Sequence, residues 1–451
     1  MRSSSRTAFD AVVIGAGPAG STVALQLARA GWSVALVERQ RFPRRKVCGE
    51  CIAASNLPLL EALGVADAFE AQAGPALRQV TLLRADSAVT AGLPAADHER
   101  HRWGRALGRE TLDSLLLERA RAAGAVVFQP CAVLAINGVA GAWTCEARTL
   151  EAPALLRLGA KLVIDAHGSW EDLPSDRPER RQARSAADLF AFKANFSHST
   201  LARGQISVLA LNGGYGGMVV ADGGIMTLAC CIRRDRLNTL RAAAPGLSAS
   251  EAVEAWLQRE CSGARQALHG ARRDGPWLAS GPLNPGVRIG PRDGIFRVGN
   301  AAGEAHPILG EGMSMALQSA ALLCSQLLGH DGCRVAPDAA AQAGLQRAYA
   351  AAWRREFAPR LRVAAVFAHL AMRPRSSALL MKLIQAWPAL LTVGARWGGK
   401  VRTVASVASV AAVASSDSSD SVDSVDSTSL SLSQLNAAPG RPASSRAPLA
   451  P

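Results

Sequence analysis

Near its start the chain carries an unbroken apolar run, Ala11 to Ile14, bounded by a glycine-rich turn and short enough to be a buried strand. A small-residue stretch with helical spacing follows. A second apolar run, Val34 to Val37, ends in Glu38. The pattern predicts strand, turn, helix, strand, the opening of a parallel sheet. An amphipathic helix is predicted over Glu110 to Ala123, a strand over Ala125–Phe128 and a further buried strand at Leu162–Ile164. Between 187 and 235 the pattern changes. LFAFKANF, QISVLAL, GGMVVA and IMTLACCI are short β-like runs separated by Gly, Asn and Asp, and they predict a separate antiparallel sheet. Residues 249–268 read as helical. Ile295–Val298 reads as a strand feeding Gly299-Asn300-Ala301-Ala302-Gly303, with a long helix from about Gly312 to Leu328. Residues 340–400 are helical again. Residues 404–451 are rich in Ser, Asp, Ala and Pro, cannot bury a core, and are expected to be disordered.

The turn after the first strand is Gly15-x-Gly17-x-x-Gly20. Gly15 permits the tight turn, Gly17 leaves room for a pyrophosphate against the backbone, and Gly20 lets the helix pack close to the sheet. The free N–H groups of the first helical turn then face the phosphates. Glu38, eighteen residues after Gly20, stands where a carboxylate can accept both hydroxyls of an adenosine ribose. An acid there argues for a free 2′-hydroxyl, so for FAD or NAD. The fold class expected is α/β: a Rossmann-like FAD-binding domain with an inserted antiparallel β-sheet substrate domain and C-terminal helices. The FAD-binding domain is read as 8–180 and 286–335, the β-rich domain as 181–285, the helical region as 336–403 and the tail as 404–451.

Composition narrows the class. The 451 residues suffice for two domains and a large core. The net charge of +14 comes with only five lysines among 50 basic residues. Scattered arginine in an Ala-rich chain matches a GC-rich coding bias, and no nucleic-acid motif accompanies it, so no nucleic-acid partner is expected. Arg2 and Arg6 precede a strand and not an uninterrupted apolar h-region, so no signal peptide is expected, and no run of 18 apolar residues is present. A cytoplasmic setting follows, with a peripheral membrane contact left open. The nine cysteines lack disulfide or zinc spacing, so no metal site is expected; Cys48-Gly-Glu-Cys51 leaves a redox pair open.

With the opening fingerprint, PRRKVCGE (Pro43 to Glu50), GRETLD (Gly108 to Asp113) and GNAAGEAHPILGEGM (Gly299 to Met313) complete a pattern over roughly residues 8–330. This pattern resembles the FAD-dependent geranylgeranyl reductase-type oxidoreductases, within the wider class of flavin monooxygenases and halogenases. Gly303 stands where reductase-type chains have glycine, and the WxWxIP signature of tryptophan-type halogenases is absent. The resemblance implies FAD as cofactor, held by Gly15, Ala16, Gly17, Pro18, Ala19, Gly20, Glu38, Arg39, Arg44, Lys46, Cys48, Gly49, Arg109, Gly299, Asn300, Pro307, Gly310, Glu311, Gly312 and Met313. Small residues at Gly299–Gly303 let backbone approach the ribityl chain and pyrophosphate. The helix start at Gly310–Gly312 offers N–H groups to a reduced flavin's charge.

Two positions depart from the resembled pattern. Asn300 replaces an aspartate of the GD motif, and His167 replaces the aspartate of the ADG motif. The second substitution makes direct reduction by NAD(P)H an open question and a separate electron-donor protein an alternative. Candidate catalytic residues are His306 and Tyr215, as proton donors or cavity residues, and Cys48, beside the flavin. The implied activity is hydride transfer at flavin N5 to a double bond of a large apolar, isoprenoid-like substrate. A monooxygenase or halogenase-like enzyme and a non-catalytic flavin-binding scaffold are the alternatives. From Arg360 to Arg402 there are eight basic residues and no acidic ones, with apolar runs between them. That composition suits either an interfacial helix pair on an anionic membrane or a helical pair packed on its own domain.

Overall fold

The computed structural model describes residues 7–151, 153–169, 185–290, 293–329 and 335–397. The expected tail, 404–451, lies outside the described residues. Two seven-stranded sheets form the frame. In the first, Val126–Phe128, Val34–Val37, Thr7–Ile14 and Leu155–Asp165 run parallel in that order, and Phe296–Arg297 adds a further parallel strand beside Leu155–Asp165. Ile14 stands beside both Val37 and Asp165 in register. Gly15, Glu38 and Ala166 therefore leave the sheet at one edge, the carboxyl ends of the strands, where open α/β sheets bind ligands.

Pro18–Arg29 packs on this sheet with eleven of its twelve residues buried, and Gly312–Leu328 lies against it. The small residues of the first helix make that approach possible: Cys324 reaches the carbonyl of Val23. The amphipathic helix is Arg109–Ala122, with Leu112, Leu116 and Leu117 buried in the same core. Cys131–Val139 and Ala142–Thr149 extend the sheet antiparallel from Leu155–Asp165.

The second sheet has the order Arg272–Leu283, Leu189–Ser197, Met226–Arg233, Gly214–Val220, Gln205–Leu211, Gln79–Arg84, Ser87–Gly92. All four runs expected between 187 and 235 are strands in it. Its last two strands correct the expected boundary, because Gln79–Gly92 comes from within the first nucleotide-domain segment. This hairpin pairs parallel with Gln205–Leu211, so the sheet is mixed and not purely antiparallel. The reason is packing: Leu82 and Val89 are apolar on one face and bury against the C-terminal helices. The helix expected over 249–268 is broken at Cys261, whose extended backbone separates Ala249–Glu260 from Ser262–Leu268. The C-terminal region consists of Ala339–Met372, Pro374–Ala386 and Ala389–Trp397.

Candidate active site

One continuous cavity of about 1160 Å³ runs from the carboxyl edge of the first sheet to the space between the second sheet and the C-terminal helices. It exceeds the roughly 300–1,000 Å³ of a drug-sized ligand site. Glu38 and Arg39 stand at one end, together with Val133 and Leu150. Gly17, Arg44, Lys46 and Arg109 lie along the middle. Val80, Leu82, Ile206, Val208 and Tyr215 line the far chamber.

Each part of the glycine turn has a separate geometric reason. Gly15 adopts φ +98°, and a Cβ there would come within 2.6 Å of the Ala166 carbonyl oxygen. A Cβ on Gly20 would stand 1.8 Å from the Gly15 oxygen, so Gly20 sets how closely the helix meets the strand turn. Gly17 differs: a Cβ there meets nothing closer than the Arg109 Nη2 at 3.6 Å, and the space it would enter belongs to the cavity. The helix that begins at Pro18 has no side-chain cap, and neither does the helix that begins at Gly312. Both start at the cavity wall, so two helix N-termini, each the positive end of a helix dipole, face it.

Glu38 is buried, with Oε2 accepting the Ala16 N–H at 2.8 Å and Oε1 accepting the Gln40 N–H at 2.8 Å. Those bonds hold the carboxylate at the strand end, with further lone pairs for a ligand. Arg44 stacks on the Phe42 ring at 4.5 Å, pairs with Asp113 at 3.1 Å, and lies 3.8 Å from Glu38. Its Nε is buried without a hydrogen-bond partner. Arg109 makes a bidentate pair with Asp113, both bonds 2.7 Å. Burial works to lower the Arg109 pKa, but Asp113 and Cys48 raise it further, so it stays charged. Lys46 is pushed down to about 8 by burial and by the neighbouring charges of Arg109 and Arg44. Three cations thus converge beside the Gly17 opening. That arrangement fits a diphosphate, and with the glycine turn, the carboxylate of Glu38 at the strand end and the two helix starts the residues present fit FAD.

Most of the sequence-predicted cofactor residues line this cavity: Gly15, Gly17, Pro18, Ala19, Glu38, Arg39, Arg44, Lys46, Cys48, Gly49, Arg109, Gly299, Asn300, Pro307, Gly310, Gly312 and Met313. Three stand outside its wall. Ala16 and Gly20 are structural, through the Glu38 bond and the close helix approach just described. Glu311 is buried, and its carbonyl accepts the Met315 N–H at the helix start. Gly303, read as backbone space for the cofactor, answers instead to Trp353, whose ring would lie 2.4 Å from an added Cβ. Asn300 donates to the Ser169 hydroxyl at 2.6 Å.

Of the candidate catalytic residues, Cys48 and Tyr215 line the cavity and His306 does not. His306 stands behind Tyr215, with its Nδ1 3.3 Å from the phenol oxygen and its ring edge-on to His369 at 5.7 Å. Burial and the nearby His369 push its pKa down to about 4. Burial raises the Tyr215 phenol well above its ordinary value. Cys48 and Cys51 are not joined by a disulfide. His167 lines the cavity and its Nδ1 is bonded to Asp165.

Sequence reading missed the groups that join the two sheets at the site. Glu50 adopts φ 59° and is buried; its carboxylate binds the Lys193 ammonium and the Thr227 hydroxyl, both from the second sheet, and the Arg109 N–H. Asp222, in a turn of the second sheet, accepts the Gly108 N–H at 2.7 Å and so caps the helix that carries Arg109. A charged Lys inside the β-run LFAFKANF was the available signal, since a buried lysine needs a partner.

The two sheets, the strand-edge glycine turn and the cation-lined cavity define an FAD-dependent oxidoreductase-type enzyme. A family model described as the FAD binding domain matches residues 8–332, and the chain belongs to that family. The chain is 31% identical over 178 residues to a 1H-pyrrole-2-carbonyl-(peptidyl-carrier protein) chlorinase of Pseudomonas fluorescens, covering 36% of this chain and 39% of the chlorinase. It is 47% identical over 60 residues to a menaquinone reductase of Mycolicibacterium smegmatis, 13% of this chain and 15% of the reductase. The chain thus matches well under two thirds of the length of these relatives. Among solved structures, the myxobacterial chondrochloren halogenase superposes with a TM-score of 0.66 at 18% identity, covering 90% of this chain and 97% of that one. A geranylgeranyl bacteriochlorophyll reductase-like protein from Thermoplasma acidophilum also gives 0.66, at 16% identity, covering 92% and 99%. These likenesses establish the fold.

Proposed function

We propose that this FAD-dependent enzyme reduces, or in the reverse direction dehydrogenates, a carbon–carbon double bond of a large apolar, isoprenoid-like substrate. The observation that supports this reading is the far chamber. Val80, Leu82, Ile206 and Val208 form one wall, and Val363, Phe367 and Leu370 of the long C-terminal helix form another. Such a wall excludes water and gains from apolar contact with the substrate. Bound FAD supplies hydride transfer at its N5 position. Gly17, Arg44, Lys46 and Arg109 hold its diphosphate, and Glu38 its adenosine ribose.

The chain's own task is then the proton. Tyr215 lines the chamber and stays protonated, because burial opposes its ionisation. In this reading its O–H bond breaks to give the proton to the carbon opposite the one that receives hydride, and the phenolate regains a proton from solvent before the next turnover. His306 is neutral and shares a hydrogen bond with the phenol, so it orients the hydroxyl without adding charge. His167 is engaged with Asp165, which supports an electron donor other than NAD(P)H, such as a small redox protein.

A second reading, halogenation or monooxygenation, is favoured by the chlorinase and halogenase likenesses. One experiment separates the two. The purified protein is loaded with FAD, mixed anaerobically with NADH, NADPH or dithionite, and incubated with a polyprenyl or menaquinone-type olefin. The expected product is heavier by two hydrogens, with faster flavin bleaching by dithionite than by either nicotinamide. Incorporation of oxygen, chlorine or bromine in air, with no anaerobic saturation, overturns the reading.

A further inference from the structure

The last two described helices both close the cavity and face outward. Pro374–Ala386 and Ala389–Trp397 are bent by 113° at a short break, and together they are apolar enough for a membrane span that neither is long enough to make alone. Leu380, Ile384 and Leu391 on this pair point into the cavity wall. Leu379 (70% exposed), Trp387 (61%) and Trp397 (70%) lie open to solvent. Leu383, Leu390, Val393 and Trp397 do both: they line the cavity and are exposed. The mouth of the apolar chamber therefore opens through an exposed apolar surface on these two helices.

Along these helices the charge has one sign. Arg362, Arg373, Arg375, Lys382 and Arg396 are exposed, and no acidic residue occurs between Glu356 and Asp417. Of the eight basic residues counted in the sequence, Arg360 is withdrawn, because it is buried and bonded to Gln318 at 2.8 Å. Lys400 and Arg402 lie outside the described residues. Tryptophans at the rim, leucines between them and flanking cations form the composition of a helix pair that lies in a membrane interface.

We propose that this helix pair docks on an anionic bilayer, with the cavity mouth against the acyl chains, so that a lipid substrate passes from the leaflet into the chamber without crossing water. The proposal rests on the apolar-substrate reading above for its cargo, but the docking itself does not require turnover. Exposed apolar surface of this kind marks an interaction site, and five cations of one sign select a negatively charged partner. A bilayer satisfies both at once and also supplies the substrate. An acidic carrier protein would satisfy the charge alone, and it has no use for a bent apolar pair open to the chamber.

The test uses the full chain loaded with FAD. Co-sedimentation is measured with phosphatidylcholine vesicles and with vesicles containing phosphatidylglycerol, at low and high salt. Strong binding to the anionic vesicles is expected, weakened by salt because the attraction is screened beyond about 8 Å at physiological ionic strength. Arg373→Glu/Lys382→Glu should lower the anionic-vesicle partition on the order of tenfold or more. Leu379→Ser/Trp387→Ser should lower it on both vesicle types; neither side chain lines the cavity, so FAD content should stay unchanged. Equal and negligible sedimentation in all conditions overturns the proposal, and so does salt-sensitive capture by an acidic carrier protein without vesicle binding. Vesicle binding without saturation of any apolar olefin supports the docking and overturns the substrate reading instead.

Discussion

Gly17 and Gly20 stand three residues apart and should fail in opposite ways. An alanine at Gly20 puts a methyl 1.8 Å from the Gly15 oxygen and 3.1 Å from the Ala166 Cβ. Neither neighbour is the end of a flexible chain, so the helix must move off the sheet, an overpacking cost of about 1–3 kcal/mol or more. An alanine at Gly17 meets only the Arg109 guanidinium at 3.6 Å, an ordinary contact, and its φ of −67° suits any residue. Without ligand, Gly17→Ala should therefore leave stability unchanged or raise it by about 0.4–1 kcal/mol, since glycine loses more entropy on folding. With ligand, the same methyl fills the space a diphosphate must enter. Losing one charge-assisted hydrogen bond of roughly 1.5–3 kcal/mol weakens FAD binding about 10- to 100-fold. Urea unfolding of the apo forms and FAD titration by fluorescence quenching measure the two quantities separately. The reasoning fails if Gly17→Ala binds FAD as tightly as the parent, or if apo Gly20→Ala unfolds at the parent's urea midpoint.

Three further predictions follow the buried charges. Glu50→Gln leaves the Lys193 ammonium buried without its counter-charge and should cost about 3–5 kcal/mol in denaturant unfolding, with part recovered in Glu50→Gln/Lys193→Met; equal losses in single and double variants would show that the pair does not couple. His306 has a folded pKa of about 4 against an ordinary 6.5, so the unfolded chain binds the extra proton between those values. Its contribution to stability is thus full above about 6.5 and falls as pH drops toward 4, on the order of 3 kcal/mol in all; His306→Phe should flatten that part of the stability profile. Lys46, at about 8, is charged below that pH and neutral above it. FAD affinity should decline as pH rises through 8, and Lys46→Met should bind more weakly with that inflection gone, as read by the same titration.

The parts of the fold that sequence could express are those with a local signature. The glycine turn, the second strand with Glu38, the helix Gly312–Leu328 and the four β-runs of the second sheet each combine an apolar period with a bounded turn, and the structure has them all. The hairpin Gln79–Gly92 was invisible as a member of the second sheet, since its pairing with Gln205–Leu211 spans more than a hundred residues. The cofactor-facing residues were legible where backbone space was the criterion, as at Gly15 and Gly17. They were not where side-chain partners decide. Nothing in PRRKVCGE says that its last residue, Glu50, binds Lys193 of the second sheet.

That bond gives the site its composite character. Cys48 and Gly49 line the cavity, and the next residue is fastened to the second sheet through Lys193 and Thr227. Arg109 lines it too, and its helix is capped from the second sheet by Asp222. The cofactor-side loop and the cation helix are therefore held by the element that forms the substrate chamber. A substrate that shifts the second sheet moves Glu50 and Asp222 together, and both act on Arg109: one binds its N–H, the other caps the helix start beside it. Cofactor affinity and chamber occupancy would be coupled by this route, because one carboxylate bonded to the second sheet and one that belongs to it position the cation of the other domain. The coupling needs no moving loop, only two carboxylates: Glu50, which follows Gly49 in PRRKVCGE, and Asp222, which precedes Gly223 in a turn of the second sheet.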